Sequence, residues 1–556
     1  MAFADLLEQV GGVGRFQIIN VILLSIPILL FANHNLLQNF TAAVPEHRCR
    51  PRPTDNVSAS WVASWDPAKL VRAFAPLDGS QRPERCLRYT RAQWWLLEPN
   101  ATAGNTTGMD TEPCEDGWTY DKSGFSSTIV TEWDLVCDQR TISQMGQSIY
   151  MVGVLVGAIV FGSLSDRFGR RTILIWSHLQ MAITGTCAAF SPNFVWYCVF
   201  RFLTGMSISG IGLDSVSLIV EWIPTRVRAI TGTLTGYFYT TGQLVLAGLA
   251  YAIRDWRWLQ LIVSLPFFVF FLYSWWFPES ARWLVLARKP EQAVRMLKKV
   301  ARINGRQEEG EKLTTESLKF SMQKEVAASE STYTAADLLR TPAVRHISFC
   351  LSLAWFSTSF SYYGLAMDLQ SFGVNIYLIQ VIFGAVDIPA KFIATTAMCY
   401  IGRRITLATS LLIASLAILG NIFVPKDMQI LRTSLAVLGK GCLASCFTCV
   451  FLFTMELYPT VIRQSGLGLA SSMARVGGIV APIVKMTGEY VSYLPLVIYG
   501  AAPLVSGLFS CFLPETMDQP LPDTIEEVEK RKTLHKVRSN KDAHESVDIP
   551  MFKNAC

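Results

Sequence analysis

One charged residue stands near the middle of an apolar stretch that is rich in small residues, 464–485, QSGLGLASSMARVGGIVAPIVK. The stretch is long enough to cross a bilayer as a helix, and its Gly, Ala and Ser residues allow close helix packing. Arg475 stands near its middle, where inserting an arginine costs roughly 2.5–3.5 kcal/mol unless it faces protein or water. Three roles are open: a structural ion pair, attraction of an anion into a cavity, or snorkelling from a misplaced span.

The other ionisable side chains within apolar runs are few. Asp387 and Lys391 are four residues apart, so on a helix they share one face and can neutralise each other. If they pair, Arg475 remains the unneutralised charge of the C-terminal part, and a guanidinium binds a carboxylate or sulfate through two parallel hydrogen bonds. The remaining members of this set are Arg201, Asp214 and Lys440.

Aromatic residues concentrate in three of the apolar runs. Packing and lipid contact is the usual role of a single aromatic in a membrane helix, but clusters indicate an apolar pocket with a few polar groups. Asn35, beside His34, is a further polar candidate. The clusters comprise Tyr237, Phe238 and Tyr239; Trp355, Phe356, Phe360, Tyr362 and Tyr363; and Phe447 and Phe451.

The composition is that of a protein that crosses the membrane several times. Of 556 residues, 51% are hydrophobic and 17% charged, whereas soluble domains carry about 25% charged residues. The net charge of +6 indicates membrane topology rather than nucleic-acid binding. Residues 1–15 lack a signal-peptide pattern, so we expect the first apolar span to be retained as an anchor in the lipid.

Twelve apolar spans are predicted, giving an all-α integral membrane protein. Polar inserts follow the first span, at 38–143, and the sixth, at 278–345. The spans lie near 16–37, 144–164, 172–190, 195–220, 229–252, 258–277, 346–366, 375–397, 405–424, 432–454, 465–484 and 492–513.

The first insert has the pattern of an extracellular, glycosylated and disulfide-bonded loop. Its four cysteines allow three pairings, between which the sequence does not choose, and their long, irregular spacing argues against a metal site. The sequons are at Asn39, Asn56, Asn100 and Asn105, and the cysteines are Cys49, Cys86, Cys114 and Cys137.

The second insert, 278–345, is basic and has a helical pattern, which predicts a cytoplasmic linker by the positive-inside rule. An even number of spans then places residues 1–15 and the polar tail, 514–556, in the cytoplasm as well. The tail has the composition of a disordered, regulatory segment.

Three short patterns occur twice at nearly the same offset. Gly169-Arg170-Arg171 recurs at 402–404, the E-x-x-P-T-x-x-R pattern of 221–228 recurs at 456–463, and Pro278-Glu279-Ser280 recurs as Pro514-Glu515-Thr516. One match could be chance, but three in register predict two six-span repeats, 16–277 and 346–513, in the arrangement of rocker-type transporters.

The charged span ends predict a cytoplasmic gate whose ion pairs form in one state and part in another. Positive-inside anchoring alone explains the arginines but not the repeated glutamates. The predicted gate residues are Asp166, Arg167, Arg170, Glu221, Arg228, Glu279, Arg282, Arg403, Arg404, Glu456 and Arg463.

The loop DRFGRR at 166–171 and PESARWL at 278–284 resemble signature motifs of the major facilitator superfamily. The opening MAFADLLEQVGGVGRFQ, STIVTEWDLVC at 127–137, FGAVDIPAK at 383–391 and MARVGG at 473–478 resemble the organic anion transporters. The resemblance covers nearly the whole chain except the tail.

The resemblance implies uptake of amphipathic organic anions, such as aryl carboxylates and steroid sulfates, often in exchange for an intracellular dicarboxylate such as 2-oxoglutarate. It also implies an epithelial plasma membrane. The related cation carriers have an acidic residue where this chain has Arg475. The residues that match cavity positions of the family are Tyr239, Trp355, Tyr363, Lys391, Lys440, Phe447 and Arg475.

Asp214 departs from the family, in which a neutral residue is usual there. It could pair with Arg201 or a cavity base, or act as a proton-sensitive counter-ion, so a proton-coupled carrier stays open. A cation or zwitterion carrier is the alternative that Arg475 and Lys440 oppose, and a membrane receptor is a remoter one. A sugar carrier shares the Pro278-Glu279-Ser280 motif but fits the charged, aromatic spans poorly. The six histidines are scattered, so we expect neither an enzyme nor a metal or other cofactor.

Overall fold

The computed structural model describes residues 3–50, 67–77, 82–97, 109–224, 227–322, 337–425, 427–459, 462–517, 519, 522 and 525–530. These residues are mainly helical, and the short strands lie in the first insert. The predicted glycosylation sites Asn56, Asn100 and Asn105, and the last part of the tail, lie outside the described residues.

The N-terminal helix group, abbreviated N-group, packs around a long central helix, α8 (Phe194–Trp222). This helix contacts α2 (Arg15–Leu36), α6 (Arg140–Phe168) and α7 (Arg170–Ala189), and α2 also packs on α9 (Arg228–Ala252). Two short N-terminal helices flank α2: α1 (Phe3–Gln9) and α3 (Gln38–Thr41). The N-group consists of α2 (Arg15–Leu36), α6 (Arg140–Phe168), α7 (Arg170–Ala189), α8 (Phe194–Trp222), α9 (Arg228–Ala252), α10 (Trp256–Ser264) and α11 (Pro266–Ser274).

The C-terminal helix group, abbreviated C-group, repeats this plan: α17 packs on α21, and α20 contacts α17, α18 and α19. A one-turn helix, α16 (Asp337–Arg340), precedes it. The C-group consists of α17 (Pro342–Ala366), α18 (Ile376–Tyr400), α19 (Arg403–Gly420), α20 (Gln429–Leu457), α21 (Arg463–Met486) and α22 (Leu494–Ser510).

Local signals account for several helix boundaries. The Asn193 side chain accepts a hydrogen bond from the Trp196 backbone N–H at the start of α8, as an N-cap residue does. Asp255 caps α10 in the same way. Pro266, which lacks a backbone N–H, separates α10 from α11 and occupies the first turn of α11, a position that tolerates proline.

Eight helical segments in the described part of the chain are long and apolar enough to cross a membrane. The four other predicted spans, corresponding to α7, α9, α17 and α22, also form helices. Polar and hydroxyl side chains dilute the first three, and α22 has only 17 residues. The eight segments are Arg15–Thr41, Cys137–Phe168, Phe194–Trp222, Trp256–Ser274, Ile376–Tyr400, Arg403–Gly420, Gln429–Leu457 and Ser465–Glu489.

Glycines permit close contact between the central helices. A Cβ atom at Gly153 of α6 would collide with the Phe202 carbonyl group of α8, and one at Gly477 of α21 would lie 2.5 Å from the Phe356 carbonyl oxygen of α17. Small residues at such crossings are the usual means of close packing between membrane helices. They bring α6 onto α8 and α21 onto α17.

The first insert contains α4 (Pro67–Phe74), α5 (Ile129–Glu132) and two antiparallel strand pairs, β1 (His47–Cys49) with β4 (Trp118–Tyr120) and β2 (Leu87–Tyr89) with β3 (Thr111–Pro113). Disulfides join Cys49 to Cys114 and Cys86 to Cys137, so one of the three possible pairings is formed. The structure contradicts the glycosylation prediction at Asn39. This residue is 8% exposed, and its amide nitrogen donates to the Ala366 carbonyl oxygen over 2.7 Å, leaving no room for a glycan.

The second insert is helical, as predicted, with α12 (Ala281–Leu286), α13 (Pro290–Ile303), α14 (Gln307–Glu311) and α15 (Thr315–Ser321). Asn304, at the end of α13, accepts a hydrogen bond from the Phe16 backbone N–H over 2.9 Å. Its amide nitrogen donates to the Val10 carbonyl oxygen and to Gln17 Oε1. The linker therefore holds the N-terminal segment and the first turn of α2.

The two groups contact each other through α6 with α21 and α9 with α18. We call the end that carries the first insert the insert end, and the other the linker end. At the insert end, Tyr377 of α18 stacks on Phe40 with ring centroids 5.7 Å apart and also contacts Phe125 and Tyr251. Its hydroxyl donates to the Gly124 carbonyl oxygen over 3.2 Å. These contacts close the molecule at the insert end.

Candidate functional site

Arg475 lies half-buried on α21, where that helix crosses α17. Its Nη1 donates to Ser471 Oγ over 2.6 Å, and its charge interacts with Tyr363 of α17. A Cβ at Gly478, three residues further along α21, would meet the Tyr363 ring at 3.4 Å. Within the described residues, no carboxylate lies within ion-pair distance of Arg475, so its positive charge is free to attract an anion.

A chain of polar side chains runs from this arginine into the N-group. Tyr363 interacts with Tyr239 of α9, and the Tyr239 hydroxyl accepts from Asn35 Nδ2 of α2 over 3.4 Å. Tyr150 of α6 completes the chain by donating to Asn35 Oδ1 over 2.7 Å. The structure therefore brings four predicted site residues together, namely Arg475, Tyr363, Tyr239 and Asn35.

The aromatic residues form one continuous wall beside this chain. Tyr362 contacts both Tyr363, with ring centroids 5.6 Å apart, and Phe447, at 5.3 Å. Phe447 in turn packs against Trp355 at 6.3 Å. Trp355 Nε1 donates to Thr454 Oγ1 over 3.0 Å, which fixes the indole. The arrangement combines apolar ring faces with a few polar groups, as small-molecule sites commonly do.

A buried ion pair in the C-group corrects one sequence prediction. Asp387 pairs with Lys440 of α20, with 2.8 Å between Oδ1 and Nζ, and not with Lys391. The Lys440 ammonium also donates to the Phe383 carbonyl oxygen over 2.6 Å and to Gln243 Oε1 over 3.3 Å. Its side chain is 1% exposed. In this conformation Lys440 is therefore buried in the ion pair, whereas the sequence predicted that it faces a ligand.

Gln243 of α9 connects this pair to the N-group. Its Nε2 donates to Asp387 Oδ2 over 3.1 Å, while its Oε1 accepts from Lys440. Tyr362 donates to the same Asp387 oxygen over 3.3 Å. The Gln243 amide therefore donates to the carboxylate through its nitrogen and accepts from the ammonium through its oxygen. The opposite charges of Asp387 and Lys440 cancel.

Lys391 faces the N-group one turn along α18. Its Nζ donates to the Gly236 carbonyl oxygen and to Thr240 Oγ1 of α9, each over 2.9 Å. These acceptors are neutral, and no described carboxylate lies within ion-pair distance of Lys391, which stands close to the boundary between the groups. This position agrees with a cavity role but does not test one.

Asp214 does not contact Arg201, contrary to one option left open by the sequence. It is 2% exposed, and its Oδ1 accepts a short hydrogen bond from Ser165 Oγ of α6. Arg201 instead lies over the Tyr150 ring, with its Cζ 4.3 Å from the centroid. Arg201 lies in the first half of α8 and Asp214 in the second half, close to the linker end of α6.

A charge network joins helix ends of the N-group at the linker end. Gly169 adopts φ +101° between α6 and α7, a conformation that favours glycine. Glu279 accepts hydrogen bonds from the Arg170 and Arg171 backbone N–H groups at the start of α7, where a carboxylate complements the helix dipole. Arg170 also pairs with Asp166 over 2.7 Å and with Glu221 over 3.6 Å. Burial raises the pKa of the Glu279 carboxyl.

The C-group has a matching network. Gly402 has φ +107°, and Glu515 accepts hydrogen bonds from the Arg403 and Arg404 backbone N–H groups over 2.8 and 3.0 Å. Arg403 pairs with Glu456 over 3.2 Å. The ion pairs that Arg170 and Arg403 make with described residues stay within their own group. A gate whose ion pairs form in one state and part in another stays a prediction.

The remaining predicted gate residues lie around these networks. Arg167 lies over the Phe168 ring at 5.4 Å, and Arg463 Nε donates to the Tyr458 carbonyl oxygen over 3.2 Å. Arg228 is the first residue of α9, and Arg282 lies half-buried in α12. Their location agrees with a gate at this end of the molecule.

Three residues of these networks were not assigned by sequence reasoning. Glu515 lies in the repeated Pro-Glu-Ser/Thr pattern, which was a sufficient signal for its role opposite Glu279. Tyr150 and Gln243 are polar residues within apolar spans, but nothing in their spacing indicates which neighbours they meet. Only the packing of α6 on α8 and of α9 on α18 reveals that.

The fold and the site together define a membrane transporter of the major facilitator type, with a polar and aromatic site between two packed helix groups. The fold is similar to that of the xylose transporter XylE from E. coli in an inward open conformation. The TM-score is 0.59 at 16% sequence identity, covering 92% of this chain and 98% of that one.

The family is shown by sequence. The model of the sugar (and other) transporter family matches residues 118–528. The chain is 63% identical to solute carrier family 22 member 6-A of Xenopus laevis over 533 residues, 96% of this chain and 94% of the relative. It is 58% identical to member 6 of Danio rerio over 560 residues, 100% and 99% of the two chains.

The chain therefore belongs to solute carrier family 22, within the sugar (and other) transporter family, and is a multi-pass membrane protein. The resemblance to the organic anion transporter branch of the major facilitator superfamily is confirmed. These relatives are named as solute carriers, in agreement with the expectation that the chain is not an enzyme.

Proposed function

We propose that the protein takes up amphipathic organic anions, such as aryl carboxylates and steroid sulfates, by alternating access. The observation that carries this proposal is Arg475, a half-buried guanidinium with no ion-pair partner among the described residues. A carboxylate or sulfate would complete its hydrogen bonds in a low-dielectric environment, where charge-assisted bonds are strong. The adjoining aromatic wall supplies the apolar surface for the rest of the substrate.

The charge balance around the site favours an anion over a cation. The only described acidic residue of the C-group core beside the aromatic wall, Asp387, is neutralised by Lys440 at 2.8 Å. Lys391 rests on neutral oxygens of α9. The site therefore carries the positive charges of Arg475 and Lys391, which would repel an organic cation and attract an anion.

We further propose twelve membrane-spanning helices in two repeats, 16–277 and 346–513, with residues 1–15, 278–345 and 514–556 in the cytoplasm of a plasma membrane, in an epithelial cell. The matching turns at Gly169 and Gly402, with carboxylates from Glu279 and Glu515, support the repeat. The disulfides support an extracellular insert, because disulfides persist in oxidising compartments. Asn56, Asn100 and Asn105 remain its proposed glycosylation sites.

The described contacts support a conformation that is closed on the extracellular side. Tyr377, its aromatic partners and the Asn39–Ala366 hydrogen bond join the groups at the insert end. At the linker end, the Arg170 and Arg403 networks each stay within one group. We propose that these networks rearrange to form the cytoplasmic gate when the insert end opens.

We propose exchange for an intracellular dicarboxylate, such as 2-oxoglutarate, as the driving reaction. The test is uptake of a labelled aryl carboxylate by proteoliposomes that contain either the dicarboxylate or buffer alone. Stimulation by the internal dicarboxylate supports exchange. Uptake without stimulation retains the anion substrate and refutes the exchange, and absence of uptake by protein shown to be folded refutes the anion substrate itself.

A proton-coupled carrier is the second candidate, and Asp214 is the observation that favours it. This buried carboxyl group accepts a bond from Ser165, while its Oδ2 has no hydrogen-bond partner among the described residues. A carboxyl group with this burial and one unpartnered oxygen is suited to carry a proton. Uptake that follows an imposed proton gradient, and loses that dependence in Asp214→Asn, would support this candidate.

A further inference from the structure

Arg201 is a second buried guanidinium, in the N-group, for which the transport proposal has no role. The residue is 0% exposed, and no carboxylate among the described residues pairs with it. Its Nη2 lies 3.4 Å from both the His34 carbonyl oxygen and Gln147 Oε1. Burial of an unpaired charge in a membrane helix is expensive and commonly marks a functional residue.

The surroundings of Arg201 hold one short segment of α2 in place. Arg201 bonds the carbonyl oxygen of His34, and Gln147 Nε2 donates to the carbonyl oxygen of the next residue, Asn35, over 3.2 Å. The guanidinium also lies over the ring of Tyr150, 4.3 Å from its centroid. A cation in this position withdraws electron density from a phenol and makes its hydroxyl a better donor. That hydroxyl bonds Asn35 over 2.7 Å.

The hydrogen-bond chain has a direction that follows from donor counting. Tyr150 donates its single hydroxyl hydrogen to Asn35 Oδ1, so the other end of the amide, Nδ2, faces and donates to the Tyr239 oxygen. Tyr239 then has its own hydrogen available to donate towards Tyr363, with which it interacts. Tyr363 is left with one unused hydroxyl hydrogen, beside Arg475.

We propose that Arg201 is a positioning residue that sets the direction of this chain, so that the Tyr363 hydroxyl donates to the anion bound by Arg475. The inference rests on the proposed function, because it assumes an anion at Arg475. It assigns a specific task to the N-group. The C-group supplies the positive charge of Arg475, and the N-group orients the neutral donor, the Tyr363 hydroxyl, through Tyr239. A carboxylate has two oxygens, which suits one charged and one neutral donor.

The experiment measures KM and maximal rate for a labelled aryl carboxylate, per transporter at the cell surface. Tyr150→Phe removes the first donor but keeps the ring under Arg201. We expect its KM to rise about fivefold, the effect of one ordinary hydrogen bond, with the maximal rate changed less than about twofold. Tyr197→Phe is the matched control, because Tyr197 is also buried in the N-group and donates to Gln38 instead.

A double-variant cycle separates the chain from a general packing effect. Tyr363→Phe removes the last donor, so in that background Tyr150→Phe should have no further effect on KM. Arg201→Lys, which keeps the charge but changes the stacking and the bond to His34, should behave like Tyr150→Phe. If it does not reach the surface, the tyrosine cycle alone decides.

Two results overturn the inference. One is a fold increase in KM for the double variant Tyr150→Phe/Tyr363→Phe that equals the product of the fold increases for the two single variants. The other is an effect of Tyr150→Phe equal to that of Tyr197→Phe. If the Arg475→Leu variant takes up the aryl carboxylate as well as the wild type does, the proposed anion site itself is refuted. The two failures are therefore distinguishable.

Discussion

The Lys440–Asp387 pair makes a sharp prediction about the stability of the C-group. Both side chains are 1–2% exposed, so Asp387→Asn leaves an ammonium buried without its counter-charge. Breaking a buried pair in this way costs about 3–5 kcal/mol. Lys440 keeps its bonds to the Phe383 carbonyl and to Gln243, and we therefore expect the lower end of that range.

The assay is thermal unfolding of the purified protein in detergent. At about 2 °C per kcal/mol for a large chain, Asp387→Asn should lower Tm by roughly 6 °C. Asp387→Leu/Lys440→Met removes both charges at similar volume, and such replacements are often neutral. We expect the Tm of the double variant to lie within about 2 °C of wild type.

Two outcomes would refute this reasoning. An unchanged Tm for Asp387→Asn would mean that the pair contributes nothing, and the cancellation of charge around the aromatic wall would lose its basis. A double variant as unstable as Asp387→Asn would show that packing or Gln243, and not the unpaired charge, determines the loss.

Three further predictions concern the insert end. Tyr377→Ala removes the ring that closes this end, so cysteines introduced into the cavity should react faster with an impermeant extracellular maleimide; an unchanged rate argues against this closure. Removing the Cys86–Cys137 disulfide should destabilise the protein by about 2–4 kcal/mol, seen as a lower Tm than that of Cys511→Ser. Asn39→Gln should leave the glycosidase-sensitive gel shift unchanged, and a smaller shift in this variant would contradict the burial of Asn39. The shift should disappear when Asn56, Asn100 and Asn105 are all replaced.

Much of the fold follows from apolar periodicity and from the repeated motifs. Each predicted span corresponds to helical structure, but several helices extend further; α6, for example, runs from Arg140 to Phe168 where the apolar run covers 144–164. The additional turn of α6 at the linker end carries Asp166 and Arg167, and Trp283 of the linker donates to the Asp166 carbonyl oxygen. Hydropathy alone reports only the part of a helix that lies within the hydrocarbon core.

The site could be predicted only in part. The depth of Arg475 within an apolar run and the aromatic clusters identified residues that do lie together. The pairing of Asp387 failed because i, i+4 spacing compares only residues of the same helix, whereas the rotation of α20 against α18 presents Lys440 to it. Gln243 and Tyr150 were missed for the same reason, since their roles depend on contacts between helices distant in sequence.

The central claim is that Arg475 binds the anionic group of the substrate. The most direct measurement is uptake of a labelled aryl carboxylate by Arg475→Leu and Arg475→Asp, normalised to surface abundance. Loss of a charged hydrogen-bond partner costs about 1.5–3 kcal/mol, so uptake at low substrate concentration should fall at least about tenfold, and further in the Asp variant. Lys485→Leu, at the insert end of the same helix and paired with Asp368, should retain most of its uptake. Uptake by both Arg475 variants equal to that of the Lys485 variant would contradict the account.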